Sequence, residues 1–225
     1  GQYIPAARIG ALLRHTSGVP FFATQLAQSL EAQTGSISSG QWAEAFEQSA
    51  LDLLRSRLSA LSEDARRVLP LASVYCTAFA ASDLLGLAPG RASASALVEA
   101  STMHLVREAP PGSGSYLFAH SLVRDALYAG FMTLDEAACR AAHLRVAESL
   151  GPDRAAAAAH HLCAAGPLAG SARIARGVAM AAAEQRRVGD VEGAIATYEE
   201  AIEAIGAFAP RDDEARLEVL IAAGE

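Results

Sequence analysis

Apolar residues recur at three- and four-residue steps along most of this chain, which is the spacing of one face of an α-helix. The series Leu51, Leu54, Leu58 and Leu61 is one example. Alanine, the strongest helix former, supplies much of the apolar content of 52%. The pattern therefore predicts a mainly α-helical protein. Beyond residue 50, helices are predicted at 62–75, near 82, from 93 or 95, and at 121–131, 139–150, 154–165, 172–188, 191–206 and 212–223.

Two short segments in the middle of the chain are predicted to be strands. Residues 104–108 and 115–118 flank residues 109–114, whose sequence APPGSG is typical of a turn. Three helices followed by such a hairpin predict a winged helix, which is a variant of the helix-turn-helix arrangement.

These patterns divide the chain into three regions. Residues 1–40 contain two predicted helices, separated at Gly18 and Pro20, and then a polar linker rich in Gly and Ser. Residues 41–132 hold the predicted winged-helix domain, and residues 133–225 hold predicted helix pairs.

The last of these regions is predicted to be a repeat array. Ala183, Ala194 and Ala201 allow close contact between helices, with Tyr198 among them, as in a tetratricopeptide repeat. A further repeat would begin at Asp212, and the sequence ends inside it. Since an array needs neighbours to cover its edges, we expect the chain to be a fragment of a larger protein.

Composition and charge exclude several functions. All eighteen basic residues are arginine, and without lysine the chain cannot supply the P-loop residue that reaches the β- and γ-phosphates. The net charge of -7 disfavours nonspecific binding to nucleic acid. Cys76, Cys139 and Cys163 stand far apart, which suits a reducing cytoplasm. No apolar run is long enough to span a membrane, so we expect a cytoplasmic location without membrane contact.

Three stretches together carry a resemblance to a known class. They are 16–26 (TSGVPFFATQL), 58–69 (LSALSEDARRVL) and 118–128 (FAHSLVRDALY). Their order resembles the STAND class of P-loop ATPases, in particular the bacterial ATPases of large LuxR-type transcriptional regulators and those beside adenylate cyclase domains. The class usually has asparagine between the glycine and the proline, where this chain has Val19.

The resemblance implies the end of an ATPase helical lid in residues 1–40, then a winged helix, then helical repeats. The P-loop and the acidic strand end that binds Mg²⁺ would belong to an upstream nucleotide-binding domain of the full-length parent. In that parent, Pro20 would pack against the adenine of ATP or ADP, and Gly18 would let the backbone approach the nucleotide. An ordinary helix-to-helix turn is the alternative for both residues, and no tight nucleotide binding is expected for this segment alone.

His120 is the third candidate site residue. In the related NB-ARC branch of the class, a histidine at the corresponding place in the winged helix senses the β-phosphate of ADP. The alternative is a structural histidine or a partner in helix capping.

For DNA binding and for metal binding, the alternative is that the residues concerned serve packing within the protein. The predicted recognition segment 93–107 contains Glu99 and one basic residue, Arg107, whereas a DNA-reading helix needs several cationic or amide side chains. A winged helix that packs against protein is therefore favoured.

Cysteine and histidine also have spacings conceivable for zinc, but packing between helices is favoured here as well. The residues concerned are Cys139, His143, His160, His161 and Cys163.

The sequence thus predicts a regulatory, non-catalytic segment of a STAND-type signalling ATPase. It would couple nucleotide state to a protein or small-molecule effector bound by the repeats. Two alternatives stay open: a helical-repeat scaffold for protein interaction, and a DNA-binding winged-helix regulator.

Overall fold

The computed structural model describes residues 55–87 and 92–224. The predicted lid region over 1–40, with Gly18 and Pro20, lies outside the described residues. The chain divides into two compact units between Tyr128 and Ala129, and the described residues are mainly helical with a small antiparallel sheet. The prediction of a mainly α-helical protein is confirmed.

The described part of the first unit combines helices with short strands. The helical residues 55–59 come first. The following elements are α1 (Glu63–Ala72), β1 (Phe79–Ala80), α2 (Ala81–Leu87), α3 (Ala92–Thr102), β2 (Val106–Glu108), β3 (Ser115–Phe118) and the first part of α4 (Ser121–Leu134). The sheet order is β1-β3-β2 and both pairings are antiparallel, with Phe79 opposite Tyr116 and Val106 opposite Phe118.

Helix α1 begins where the sequence predicts. The Ser62 hydroxyl accepts a hydrogen bond from the Ala65 N–H at 3.2 Å, and Glu63 and Asp64 place negative charge in the first turn. The helix buries one face, which packs against α2 and α3. The buried residues of this face are Ala65, Val68, Leu69 and Ala72.

Strand β1 is held by the core of the first unit. Phe79 is buried, and its ring stacks on Tyr75 with a centroid distance of 5.7 Å and on Tyr116 with one of 6.3 Å. Phe118 approaches the same ring at 5.9 Å. These contacts hold β3 against β1 and against the segment that follows α1.

The second unit is a succession of helices. After the remainder of α4 come α5 (Glu136–Ser149), a 3-10 turn (Pro152–Arg154), α6 (Ala155–Ala165), a 3-10 turn (Gly166–Leu168), α7 (Ser171–Arg187), α8 (Val191–Phe208) and α9 (Asp213–Gly224). Each helix from α5 to α8 packs on the next one along the chain. In addition, α6 contacts α8, and α7 contacts α9.

Small side chains line the contacts between these helices. Ala175, Ala181, Ala194 and Ala201 are buried together with larger aliphatic residues. Because alanine adds little bulk, helix backbones can approach closely while still burying apolar surface. Tyr198 adds a hydrogen bond between two helices. Its hydroxyl donates to the Ala222 carbonyl at 2.7 Å and so links α8 to α9.

The joint between α7 and α8 follows from its sequence. Gly189 has φ +82, a conformation that favours glycine. Asp190 then caps α8, because its carboxylate accepts the Gly193 N–H at 2.9 Å. The break between the helices predicted at 172–188 and 191–206 is confirmed at this position.

Candidate functional site

His120 lies at the start of α4, directly after the sheet of the first unit. The preceding residue is fixed to the core because the Ala119 N–H donates to the Leu105 carbonyl at 2.9 Å. His120 is buried, with 9% of its surface exposed, and its Nδ1 accepts the Leu122 N–H at 3.0 Å. The ring therefore caps the helix, which is one of the two roles that the sequence leaves open.

This capping hydrogen bond determines the tautomer of the neutral His120 ring. Nδ1 is an acceptor, so the neutral imidazole of His120 carries its hydrogen on Nε2. Only the Nε2 side of the ring can then donate a hydrogen bond to an anion. Gly18 and Pro20 lie outside the described residues, so a cleft shared with His120 stays a prediction.

The outward face of α3 bears on DNA binding. Its exposed residues include Ala94, Ser95, Val98 and Thr102, none of which is charged, and Val98 is 64% exposed. Arg107 is exposed as well, in strand β2. Such a face offers little to phosphates or to base edges.

Glu99 of α3 is engaged within the unit. Its two carboxylate oxygens accept hydrogen bonds from Ser62, one from the N–H at 2.7 Å and one from the hydroxyl at 2.5 Å. These bonds, led by the one from the hydroxyl, lower the pKa of Glu99 below its usual value. The carboxylate thus extends the cap of α1 from another helix.

The hairpin loop is also organised by a carboxylate. Glu108 accepts the Gly112 N–H at 2.8 Å and the Gly114 N–H at 2.6 Å, and these bonds lower its pKa. The loop itself carries no arginine. It therefore provides no positive charge for a nucleic-acid backbone.

In the second unit, the histidines noted in the sequence meet. His143 of α5 and His161 of α6 are both buried, with their Nδ1 atoms 2.9 Å apart. His160 makes a different contact, from its Nδ1 to Glu200 Oε1 of α8 at 2.6 Å. The three imidazoles lie close together, with ring centroids 5.1 to 6.2 Å apart. This histidine cluster, His143, His160 and His161, joins three helices.

Burial shifts the pKa values of His161 and of the neighbouring Cys163. It lowers the pKa of His161 to about 4, with smaller contributions from the positive charges of His160 and Arg154. Burial also raises the pKa of Cys163 to about 12, helped by the negative charge of Glu200. The thiol of Cys163 is therefore protonated at neutral pH and is a poor nucleophile.

The possible zinc ligands do not converge. Within residues 55–87 and 92–224, no group of three or more His, Cys, Asp or Glu side chains is arranged to hold a metal ion. His143 and His161 turn Nδ1 toward each other, and Cys139 is fully buried in α5. These residues pack the interior of the second unit.

A cleft of about 410 Å³ opens beside this cluster. One wall contains an ion pair in which Arg140 Nε and Nη2 contact Glu136 Oε1 at 2.8 and 2.7 Å. Gly166 follows α6 with φ +56, and a Cβ there would overlap the Arg140 guanidinium. The lining of this acidic cleft includes Glu136, Arg140, Cys163, Gly166, Glu200, Glu203 and Phe208.

Sequence reasoning missed this cleft. Its only signal is the spacing of Glu200 and Glu203, which puts both carboxylates on one face of α8. Adjacent acidic residues such as Glu199 and Glu200 are usually solvated, and the sequence does not reveal which of them faces a cavity. In the structure Glu199 is exposed, whereas Glu200 is half-buried and lines the cleft.

No protein-family model, curated protein or solved structure matches this chain. Among the described helices, none is both long enough and apolar enough to cross a bilayer.

Proposed function

We propose that this chain is the regulatory part of a STAND-type signal-transduction ATPase, most simply a transcriptional regulator. It couples ATP or ADP, bound with Mg²⁺ by an upstream domain of the same protein, to an effector that binds helical repeats. The observation that carries the proposal is the position of His120. It opens the helix after the sheet, at the place where the resemblance puts a phosphate-sensing histidine, and it lies before a stacked array of helices.

The element order of the first unit supports a winged helix. Three helices, α1 to α3, precede the hairpin formed by β2 and β3, as the sequence predicts. The additional strand β1 lies between α1 and α2 in the chain and pairs with β3. A compact sheet of this kind joins the hairpin to the helices, and His120 follows the end of its central strand, β3.

The packing order of the second unit supports TPR-like repeats. Each helix from α5 to α8 contacts the next one along the chain, and α6 and α7 also contact their second neighbours α8 and α9. This pattern is typical of repeat arrays, in which each unit stacks on its neighbours. On this reading α7 and α8 form one repeat, and α9 opens another.

The hydrogen bonds of His120 suggest how nucleotide state could be transmitted. The ring caps α4 through Nδ1, and its buried Nε2 is the atom that would donate to a phosphate oxygen once the ring is uncovered. Helix α4 runs across the boundary between the two units. ADP would hold the closed state through this contact, and ATP would shift the population toward an open state.

The reading frame upstream of Gly1 gives the first test. We expect it to encode a P-loop with its lysine, and a gene without one overturns the proposal. In the protein from the whole gene, His120→Ala should release ADP several-fold faster. An unchanged rate contradicts the phosphate-sensing role.

A matched variant separates sensing from capping. His120→Ser keeps an oxygen that can cap α4 but lacks the imidazole. Faster ADP release in both variants indicates contact with the nucleotide. Faster release in His120→Ala alone indicates that His120 acts only through the start of α4.

A helical-repeat scaffold for protein interaction is the second candidate, and the stacked helices of the second unit favour it. Such a scaffold needs no nucleotide. The neutral outer face of α3, around Val98, and the Glu108-bound loop give no comparable support to a DNA-binding regulator. A duplex titration at low salt would reveal any such binding.

A further inference from the structure

The acidic cleft carries negative charge that its own side chains do not balance. Arg140 neutralises Glu136, with which it forms an ion pair. His160 neutralises Glu200 only when its imidazole is protonated. Glu203 is exposed and makes no ion pair within the described part of the chain. The α8 side of the cleft is therefore its negative side.

The rest of the lining is largely apolar. Phe208 is half-buried, and Pro167, Ala204 and Ala207 complete the wall around it. A volume of about 410 Å³ falls within the range of about 300–1,000 Å³ that ligand sites usually have. A ligand that fits must combine a positive group with an apolar stem.

We propose that the acidic cleft binds an arginine side chain from a basic segment of a partner protein. The guanidinium lies between the Glu200 and Glu203 carboxylates, and its methylene stem packs on Phe208. Arginine fits better than lysine because its planar fork can serve two carboxylates and can stack on an aromatic ring. The inference rests on the proposed function, since it names the chemistry of the partner that the repeats recognise.

Two features of the cleft support this choice. The negative charge of Glu200 acts on another residue of the lining, since it contributes to the raised pKa of Cys163. Arg140 is already bound to Glu136 through two nitrogens. The protein's own arginine in this wall is thus engaged on the α5 side and does not neutralise the α8 carboxylates, of which Glu200 contacts His160.

A peptide titration tests the proposal on the 225-residue chain. The probe is a pentapeptide with one central arginine between alanines, and the readout is the set of backbone amide NMR shifts. We expect saturable shifts of Ala164, Gly166 and Ala204 at low salt. The same peptide with citrulline, which keeps the shape and loses the charge, should leave these resonances unmoved.

Two glutamates of α8 provide matched variants. Glu203→Gln removes a carboxylate from the cleft, and Glu199→Gln removes one from an exposed position outside it. We expect Glu203→Gln to weaken peptide binding about threefold to fivefold, as for one partly exposed charged contact. Glu199→Gln should leave the affinity unchanged. Both residues are exposed, so neither variant should impair folding.

Three results overturn the inference: no saturable shifts, equal binding of the citrulline peptide, or equal weakening by the two variants. The last result would indicate attraction to the general negative charge of the chain. A negative result in this peptide titration can be distinguished from failure of the proposed function. The absence of an upstream P-loop removes the nucleotide switch but leaves this titration unaffected.

Discussion

His143 of α5 and His161 of α6 share a hydrogen bond between their Nδ1 atoms, 2.9 Å apart in the interior of the second unit. One imidazole must donate and the other must accept, so at least one of the two rings is neutral. The bond spans the first two helices of the stacked array. The bond is therefore lost when both buried rings are protonated.

The second unit is therefore expected to lose stability in mild acid. His161 has a pKa of about 4 in the folded chain, against an ordinary value of 6.5, so the unfolded chain binds more protons between these values. Stability is highest above pH 6.5 and falls as the pH approaches 4, by up to about 3 kcal/mol from this residue. Amide hydrogen exchange of α5 and α6 at a series of pH values measures the change.

A non-titrating variant isolates the contribution of His161. His161→Gln retains groups that can hydrogen bond to His143 but has no proton to gain in this range. Its exchange rates, corrected for intrinsic pH effects, should vary less with pH than those of the parent chain. An equally steep dependence in the variant would assign the effect to other groups.

Gly166→Ala should destabilise the second unit. A residue with a side chain is strained at φ +56, and the new methyl group would displace the Arg140 guanidinium from its place beside Glu136. The expected cost is about 1–2 kcal/mol, measured by urea unfolding. Gly206→Ala is the control, because it lies in α8 with open space around it and should stabilise by up to about 1 kcal/mol. Similar effects of the two variants would contradict this account.

Tyr198→Phe should loosen α9. The substitution removes the hydrogen bond from the tyrosine hydroxyl to the Ala222 carbonyl and leaves the ring packing in place. Arg186 Nη1 also donates to this carbonyl at 3.0 Å, so the acceptor is not left without a partner. We expect a loss of about 1 kcal/mol and faster amide exchange in α9, with exchange in α1 unchanged. Uniformly faster exchange would indicate a global effect instead.

The three cysteines should differ sharply in reactivity. Cys76 is exposed, whereas Cys139 and Cys163 are buried and the pKa of Cys163 is raised to about 12. Iodoacetamide at pH 8 should therefore modify Cys76 first, because the thiolate is the reactive species. Mass spectrometry identifies the site, and rapid modification of Cys163 in the folded chain would refute its protected state.

The helices could be predicted because their signals are local. Helices begin at the positions predicted from the spacing, after Ser62 and after Asp190, and both residues cap them. Strand β1 was not predicted, because two residues are too few to show the alternation of a strand. It exists through contacts of Phe79 with nearby Tyr75 and with Tyr116 and Phe118, which lie almost forty residues further along the chain.

The candidate sites depend on contacts between distant residues, which a single sequence does not contain. The spacing of His143, His160 and His161 drew attention to them, but it gave no sign that two of them pair with each other. The acidic cleft combines residues from α5, the end of α6 and α8. His120 was identifiable through the resemblance carried by residues 118–128, and its capping bond lies within the same short segment.

The near-neighbour packing of α5 to α9 has a kinetic consequence. Residues that touch in this unit lie close together along the chain, so its contact order is low. Domains of low contact order generally fold within microseconds to milliseconds.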